Sequence, residues 1–134
     1  MTALYMLDTD TSIYIMKERP GSVLRRFEKH RGEVHISVVT YAELLYGVER
    51  STAKVKNRQA VEAFVQLLPI DDWTPAAAAH YAAIRAELDN AGAPIGAMDL
   101  MIAAHARSLD AVVVTNNTRH FGRVSKLKTV NWVD

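Results

Sequence analysis

The sequence predicts an α/β domain built as a three-layer sandwich, in which helices flank a central, mainly parallel β-sheet. Short apolar segments alternate along the chain with longer segments whose apolar residues recur at helical spacing. Strands that are separated by helices pair in parallel through right-handed crossovers. The 134 residues, 49% of them apolar, are enough for one domain with its own core. We therefore predict a single domain over residues 1–134.

The N-terminal elements are a strand and two helices. Ala3–Leu7 is mostly apolar and is predicted as a strand. A short helix is predicted over Thr11–Lys17, ending before Pro20-Gly21, because proline and glycine interrupt helices. A second helix is predicted over Ser22–His30 and ends at Gly32.

The middle of the chain repeats this alternation. Val34–Ser37 is predicted as a second strand, and a helix follows it to about Arg50. Apolar residues in that helix recur at the i, i+3, i+4 and i+7 positions of one face. Residues 53–68 show a similar spacing and are predicted as a helix, which leads into a brief strand over Pro69–Asp71.

The C-terminal part begins with a clear helix start. Thr74 is predicted as an N-cap with Pro75 at the first helical position, and the alanine-rich helix that follows runs to about Asn90. The remaining predicted elements are a helix over Ala97–Leu109, a strand over Ala111–Thr115, a loop over residues 116–124 and a last strand near Thr129–Val133.

Composition excludes several classes of protein. The chain has no cysteine, so disulfides, zinc–thiolate sites and thiol nucleophiles are excluded. No apolar run approaches the roughly 20 residues of a membrane-spanning helix. The N-terminus lacks the basic segment and following apolar segment of a signal peptide. We expect a cytoplasmic protein that has no membrane contact.

The net charge is only +1, but basic residues are concentrated in the stretches 17–31 and 119–128. Each stretch fits either a solvated face or a surface that contacts phosphate groups, and charge alone leaves both interpretations open. The candidates for phosphate contact are Arg25, Arg26, Arg119, Arg123 and Lys126.

Polar side chains follow several of the predicted strands. Asp8, Ser37 and the stretch 115–117 each come at or just after a strand end. In an open parallel sheet the ligand site lies beyond the carboxyl ends of the strands, so these residues are expected at one edge. Asp99 begins the apolar face of its helix. It could simply stabilise the helix N-terminus, but a carboxylate on an apolar face needs a partner or a cation.

Glu43 and Asp10 also have structural interpretations. Thr40 and Glu43 have the spacing of a capping box, in which glutamate bonds back to the cap residue. Asp10 is predicted as a helix-cap residue. The five histidines form no close pair on one helix face, and no GxSxG or GxxxxGK[ST] motif occurs.

Three acids at one edge of the sheet would favour a metal ion. If Asp8, Glu43 and Asp99 lie close together, their charges raise one another's pKa values, and a divalent cation removes that cost. Oxygen ligands select magnesium or manganese over zinc or copper. Magnesium also accepts phosphate oxygens, so a sparse carboxylate site suits phosphodiester chemistry.

The chain resembles PIN-domain ribonucleases, and more narrowly the VapC-type toxins of bacterial toxin–antitoxin pairs. Four segments carry the resemblance, and in this order they cover nearly the whole chain. They are YMLDTDTSIY, ISVVTYAELLYGV, IGAMDLMIAAHA and VVVTNNTRHFGRV. The resemblance implies a PIN-like fold and magnesium-dependent endonucleolytic cleavage of RNA, with manganese as a substitute.

The resemblance also assigns roles to residues. It implies that Asp8 and Asp99 are the main metal ligands, and that Glu43 completes the site or orients the attacking water. Asp10 then lies at the helix start. The fourth acidic position of the family falls on Asn117, a neutral residue, so we expect one tightly held ion. Thr9, Ser37 and Thr115 carry hydroxyl groups near the same edge. These groups could donate hydrogen bonds to the metal ligands, or they could simply cap helices and form turns.

The resemblance further implies partners and a substrate. Similar toxins form homodimers and are silenced by a VapB-type antitoxin, in a hetero-oligomer whose antitoxin tail covers the active site. The basic stretches become candidates for contact with the RNA backbone, since neutralising that backbone supplies most nucleic-acid affinity. We expect structured RNA, such as transfer RNA, to be cut, which would block translation.

Two alternatives differ in chemistry. The stretch DTDTS after a strand is similar to the start of haloacid-dehalogenase-type phosphatases, but the acidic pair at 71–72 precedes every plausible C-terminal lysine that such an enzyme needs. The second alternative is a catalytically weak PIN domain that binds RNA or a protein partner. The presence of both Asp8 and Asp99 argues against it.

Overall fold

The computed structural model describes residues 3–133, within which five parallel strands form one sheet in the order β3-β2-β1-β4-β5. The strands are β1 (Tyr5–Leu7), β2 (Val34–Ser37), β3 (Ile70–Asp71), β4 (Val112–Val114) and β5 (Lys128–Val130). The helices are α1 (Thr9–Lys17), α2 (Gly21–Lys29), α3 (Val38–Glu49), α4 (Lys54–Val65), α5 (Pro75–Asn90), α6 (Ala97–Ser108) and α7 (Thr118–Phe121). The predicted α/β sandwich with a parallel sheet is confirmed.

The register of the strands aligns polar residues at one edge of the sheet. Leu7 of the central strand β1 pairs with Ile36 on one side and with Val114 on the other, and Val114 pairs with Val130. The next residue of each strand therefore lies at the carboxyl edge. From β3 to β5, the residues in this row are Asp71, Ser37, Asp8, Thr115 and Asn131.

Two apolar layers hold the sheet between the helices. Side chains alternate across each strand, so Met6 and Val113 pack with α5 and α6 on one face, whereas Leu7 and Val114 pack with α1, α2, α3 and α4 on the other. Ile102 is fully buried in the first layer. None of the helices in residues 3–133 is long and apolar enough to cross a bilayer.

Three local predictions are corrected by the structure. Asp8 rather than Asp10 caps α1, because the first helical residue is Thr9 and the Asp8 side chain accepts from the Thr11 amide. The capping box predicted for Thr40 and Glu43 is wrong, because α3 begins at Val38 under the cap residue Ser37. Its first turn is the β-branched run that continues the apolar pattern of β2.

The third correction concerns the predicted loop over residues 116–124, which contains the short helix α7. Four helical residues are too few to show a helical periodicity in the sequence. Phe121 is fully buried in the apolar layer beneath α5 and α6, and this burial fixes the turn.

Candidate functional site

Asp8 is held at the centre of the carboxyl edge by its own backbone. Its amide donates to the Val114 carbonyl at 3.0 Å, and its Oδ1 accepts from the Thr11 amide at 2.8 Å. The side chain is only 3% exposed. Burial raises the pKa of the Asp8 carboxyl, and the Thr115 and Thr11 side chains that face it partly offset this effect.

A chain of contacts leads from Asp8 across the edge to α7. The Thr115 side chain faces the Asp8 carboxyl, and Thr115 Oγ1 accepts from the Asn117 amide at 2.8 Å. The side-chain amide of Asn117 donates in turn to Nδ1 of His120, with a nitrogen–nitrogen distance of 2.9 Å. Asn117 is therefore tethered at both its backbone and its side chain beside the predicted metal ligand.

Asp99 approaches the same edge from the first turn of α6. Its helix is capped by the backbone of Gly96, and Asp99 is partly buried. Burial is the largest cause that raises the pKa of Asp99, and together with the neighbouring charges of Asp8, Glu43 and Asp10 it brings the pKa to about 6. His120 acts in the opposite direction. The fold therefore brings the predicted acids into one electrostatic cluster.

Glu43 is the third acid of the cluster and is anchored separately. It projects from the second turn of α3, where its carboxylate accepts from the Thr9 hydroxyl. Thr40 Oγ1 lies 3.4 Å from the same hydroxyl. Thr9 therefore contacts the acid cluster through Glu43.

The donor set fits a hard divalent cation. The three acids offer oxygen atoms only, and within residues 3–133 neither lysine nor arginine forms an ion pair with Asp8, Glu43 or Asp99. In the same residues no three His, Cys, Asp or Glu side chains converge closely enough to ligate one ion. Two carboxylates completed by water are what magnesium accepts, since it keeps several waters and takes one or two protein carboxylates.

Ser37 has a different set of partners from the one expected. Its hydroxyl oxygen accepts from the Val39 amide at 3.0 Å and lies 2.7 Å from Nδ1 of His105 on α6. His105 was not predicted as a site residue, nor was His120. Spacing along the sequence gives no indication of His105, because its partner Ser37 lies 68 residues away. His120 could have been suspected from its position three residues after Asn117.

The predicted phosphate-contacting residues separate into two groups. Arg26 donates to the Asn131 carbonyl and Arg123 to the Pro94 carbonyl, each at 3.0 Å, so both guanidinium groups contact the protein's own backbone. Arg25, Arg119 and Lys126 are exposed. Arg119 lies on α7 directly before His120, beside the acid cluster.

Comparison with known proteins identifies the family. The model of the PIN domain matches residues 5–127. A curated relative from Shigella flexneri, named tRNA(fMet)-specific endonuclease VapC, is 46% identical over 128 residues, which cover 96% of this chain and 97% of the relative. Ribonuclease VapC2 of Rickettsia felis is 36% identical over 131 residues, covering 96% of this chain and 98% of the relative.

Solved structures agree in fold along nearly the full chain. A chain of the DNA-bound VapBC complex from Salmonella typhimurium superposes with a TM-score of 0.93 at 41% identity, covering 98% of this chain and 99% of that one. A chain of VapBC2 from Rickettsia felis, bound to a promoter DNA fragment, gives 0.91 at 35% identity, covering 96% and 98%.

Proposed function

The chain belongs to the PIN domain family and, within it, to the VapC group, and from this membership we propose that it is a magnesium-dependent endoribonuclease acting as the toxin of a VapBC-type toxin–antitoxin pair. The observation that carries the proposal is the pairing of Asp8 and Asp99 at the carboxyl edge. Both carboxyls have raised pKa values. A site that concentrates uncompensated negative charge is suited to a cation.

Asp8 and Asp99 would hold the ion, with manganese able to replace magnesium. When bound, the ion lowers the pKa of a water molecule and stabilises the negative charge that develops on the phosphate. Glu43, fixed by Thr9, would accept a proton from the attacking water and orient it. Asn117 adds no charge, which favours a single tightly held ion. Thr115 keeps the Asp8 carboxyl and the Asn117 backbone in register.

RNA would approach over the exposed side of the acid cluster. Arg119 projects from α7 next to His120, and Arg25 and Lys126 are exposed as well, so these three are the preferred candidates for contact with the RNA backbone. Arg26 and Arg123 are placed by their carbonyl contacts and would serve mainly to hold the C-terminal segment and the loop before α6.

The relatives suggest a substrate and a partner. Relatives from Shigella flexneri and Salmonella typhimurium are named tRNA(fMet)-specific endonucleases, so the initiator transfer RNA is the substrate that we propose first. Its cleavage would block translation in the cytoplasm. The VapBC structures support a VapB-type antitoxin as partner, and we propose a toxin homodimer inside that hetero-oligomer.

The phosphatase alternative fails because the chain belongs to another family. The binding-module alternative differs from the proposal in one measurable property, which is cleavage. It would predict RNA binding by the folded protein without strand scission.

The deciding experiment incubates purified protein with total RNA and with initiator transfer RNA, in magnesium and in EDTA. The wild type should cut at one or a few sites in magnesium. Cleavage should be lost in EDTA and in Asp99→Asn, a swap that keeps the side-chain size and removes one charge. Folded wild type that binds RNA without cutting it would instead establish the binding module, and cutting by Asp99→Asn at the wild-type rate would overturn the assignment of the site.

A further inference from the structure

His105 is a buried ionisable residue to which the cleavage mechanism gives no role. It lies on α6 within the packed layer and is 0% exposed. Its Nδ1 atom is 2.7 Å from the hydroxyl oxygen of Ser37, which is also 0% exposed. Burial lowers the pKa of the imidazole, so it is neutral at physiological pH, although the charge of Asp71 partly opposes this shift.

A histidine side chain is energetically unfavourable at this buried position. Its second nitrogen, Nε2, makes no hydrogen bond of good geometry within residues 3–133, although the Asp72 backbone lies close enough to the ring to raise its pKa. A buried polar atom without a good hydrogen bond destabilises the folded state. An apolar side chain of similar volume would avoid that cost, so packing alone does not account for a histidine here. Unlike an apolar side chain, the histidine makes the hydrogen bond with Ser37.

The contact between His105 and Ser37 connects α6, the helix that carries Asp99, to the strand end beside Asp8. Ser37 ends β2, where the register places it directly beside Asp8, and it caps α3, the helix that carries Glu43. His105 is six residues after Asp99 on α6, about 9 Å along the helix axis. This buried hydrogen bond therefore ties α6 to the strand end beside Asp8, in addition to the packing of the buried residues of α6.

We propose that His105 is a positioning residue for the metal site, which sets the separation of the Asp99 and Asp8 carboxylates by anchoring α6 to Ser37. It touches neither the ion nor RNA. The inference rests on the proposed function, because it assigns this separation the purpose of holding a divalent ion. Partners that orient metal ligands typically change metal affinity by about 10–100-fold when they are removed.

The test measures metal binding without RNA. Thermal unfolding is followed while Mn²⁺ is titrated, for the wild type and for His105→Leu, His105→Asn and Ser37→Ala. A fit of the rise in Tm against Mn²⁺ concentration gives the dissociation constant, here called the Mn²⁺ midpoint, which should increase about 10-fold in His105→Leu and in Ser37→Ala. His105→Asn keeps a polar atom near the position of Nδ1 and should recover most of the wild-type value.

A double mutant checks that the two residues act as one unit. His105→Leu combined with Ser37→Ala should weaken Mn²⁺ binding no more than either change alone, because residues of one hydrogen bond are not additive. His80→Leu is the matched control. His80 lies on α5 and accepts from Arg107 at 2.8 Å, and its loss should leave the Mn²⁺ midpoint unchanged.

The outcomes separate this inference from the proposed function. A wild-type Mn²⁺ midpoint in His105→Leu, or in Ser37→Ala if the leucine variant does not fold, would overturn the positioning role while leaving the nuclease proposal intact. Multiplicative losses in the double mutant would also overturn it. A wild type whose Tm does not respond to Mn²⁺ or Mg²⁺ would instead contradict the metal site itself, and the positioning role with it.

Discussion

The carboxyl end of β1 and the first turn of α6 each supply one carboxylate to the same site, but they hold it differently. Asp8 is fixed by strand pairing on both sides of β1 and by its own role as the cap of α1. Asp99 lies on a helix whose position depends on side-chain packing and on the contact between His105 and Ser37. Asp8 is thus held by backbone pairing, whereas the position of Asp99 depends on how α6 packs against the sheet.

The largest expected effect is the loss of RNA cleavage when either of the two acids loses its charge. Asp8→Asn and Asp99→Asn should each lower the rate of RNA cleavage by more than about 100-fold in saturating magnesium, since each removes one ligand charge. The measurement is single-turnover cleavage of initiator transfer RNA. Asp10→Asn is the comparison, because Asp10 is exposed and acts on Asp8 and Asp99 only through a charge that solvent screens, so its loss should change the rate far less. A rate in Asp8→Asn close to that of Asp10→Asn would contradict the shared site.

The next largest effect concerns the hydroxyl group of Thr115, which faces Asp8 at the end of β1. Thr115→Val keeps the shape of the side chain but removes the oxygen that accepts from the Asn117 amide and faces Asp8. The free energy of unfolding should fall by about 1–3 kcal/mol, because a buried donor loses its partner. Cleavage should fall about 10-fold. Urea unfolding and single-turnover rates provide the two readings, and an unchanged stability would show that Thr115 has no structural role at the edge.

A smaller effect separates the two regions directly. Asp8→Ala loses the helix cap and should be about 1 kcal/mol less stable than Asp8→Asn, in which asparagine still caps α1. For Asp99 no such difference is expected, because the cap residue of α6 is Gly96. Urea unfolding of the four variants makes the comparison. Equal losses at the two positions would show that Asp99 is as much a part of the fold as Asp8.

The smallest effect is a pH dependence of stability that originates at α6. Between its ordinary pKa of 3.8 and its folded value of about 6, Asp99 binds a proton in the folded state and not in the unfolded state. Stability from this proton is therefore present at low pH and is lost as pH rises through about 6. Without metal, the Tm of the wild type relative to Asp99→Asn should fall by about 2–4 °C between pH 4.5 and 7, since solvent screening reduces the full shift.

A bound divalent ion should reverse this fall in stability with rising pH. A divalent ion competes with the proton on Asp99, so the rise in Tm produced by Mg²⁺ should be larger at pH 7 than at pH 5. His105 has the opposite pH dependence but is present in both proteins, so it cancels in the comparison. A Tm difference between the two proteins that is flat across this pH range would show that Asp99 is ordinarily ionised in the folded state.

The sequence predicted the two regions unequally. The β1 edge could be predicted because it depends on local patterns, in which an apolar strand is followed at once by an acid. The bounds of β2 at Val34–Ser37 were predicted for the same reason. That Asp99 faces the site was suggested by its place on the apolar side of its helix. Its raised pKa, however, comes first from burial and then from the charges of Asp8, Glu43 and Asp10, which only the folded chain brings together.

The errors have related physical causes. The capping box at Thr40 was predicted because helix starts are inferred from spacing, whereas the strand-to-helix turn at Ser37 leaves no intervening loop. The cap at Asp10 was displaced to Asp8 for the same reason. The bond between Ser37 and His105 links residues far apart in sequence, and no periodicity or motif encodes such a contact.

The central position of β1 in the sheet also determines when the site exists. Leu7 pairs with Val114, and Thr115 follows, so the surroundings of Asp8 include residues made more than one hundred positions later. At about 5–20 residues per second, a ribosome needs roughly 5–20 s to span that interval. A partly synthesised chain would therefore carry the first acid without the edge that completes it. The order of the strands therefore delays the assembly of the candidate site until the chain is nearly finished.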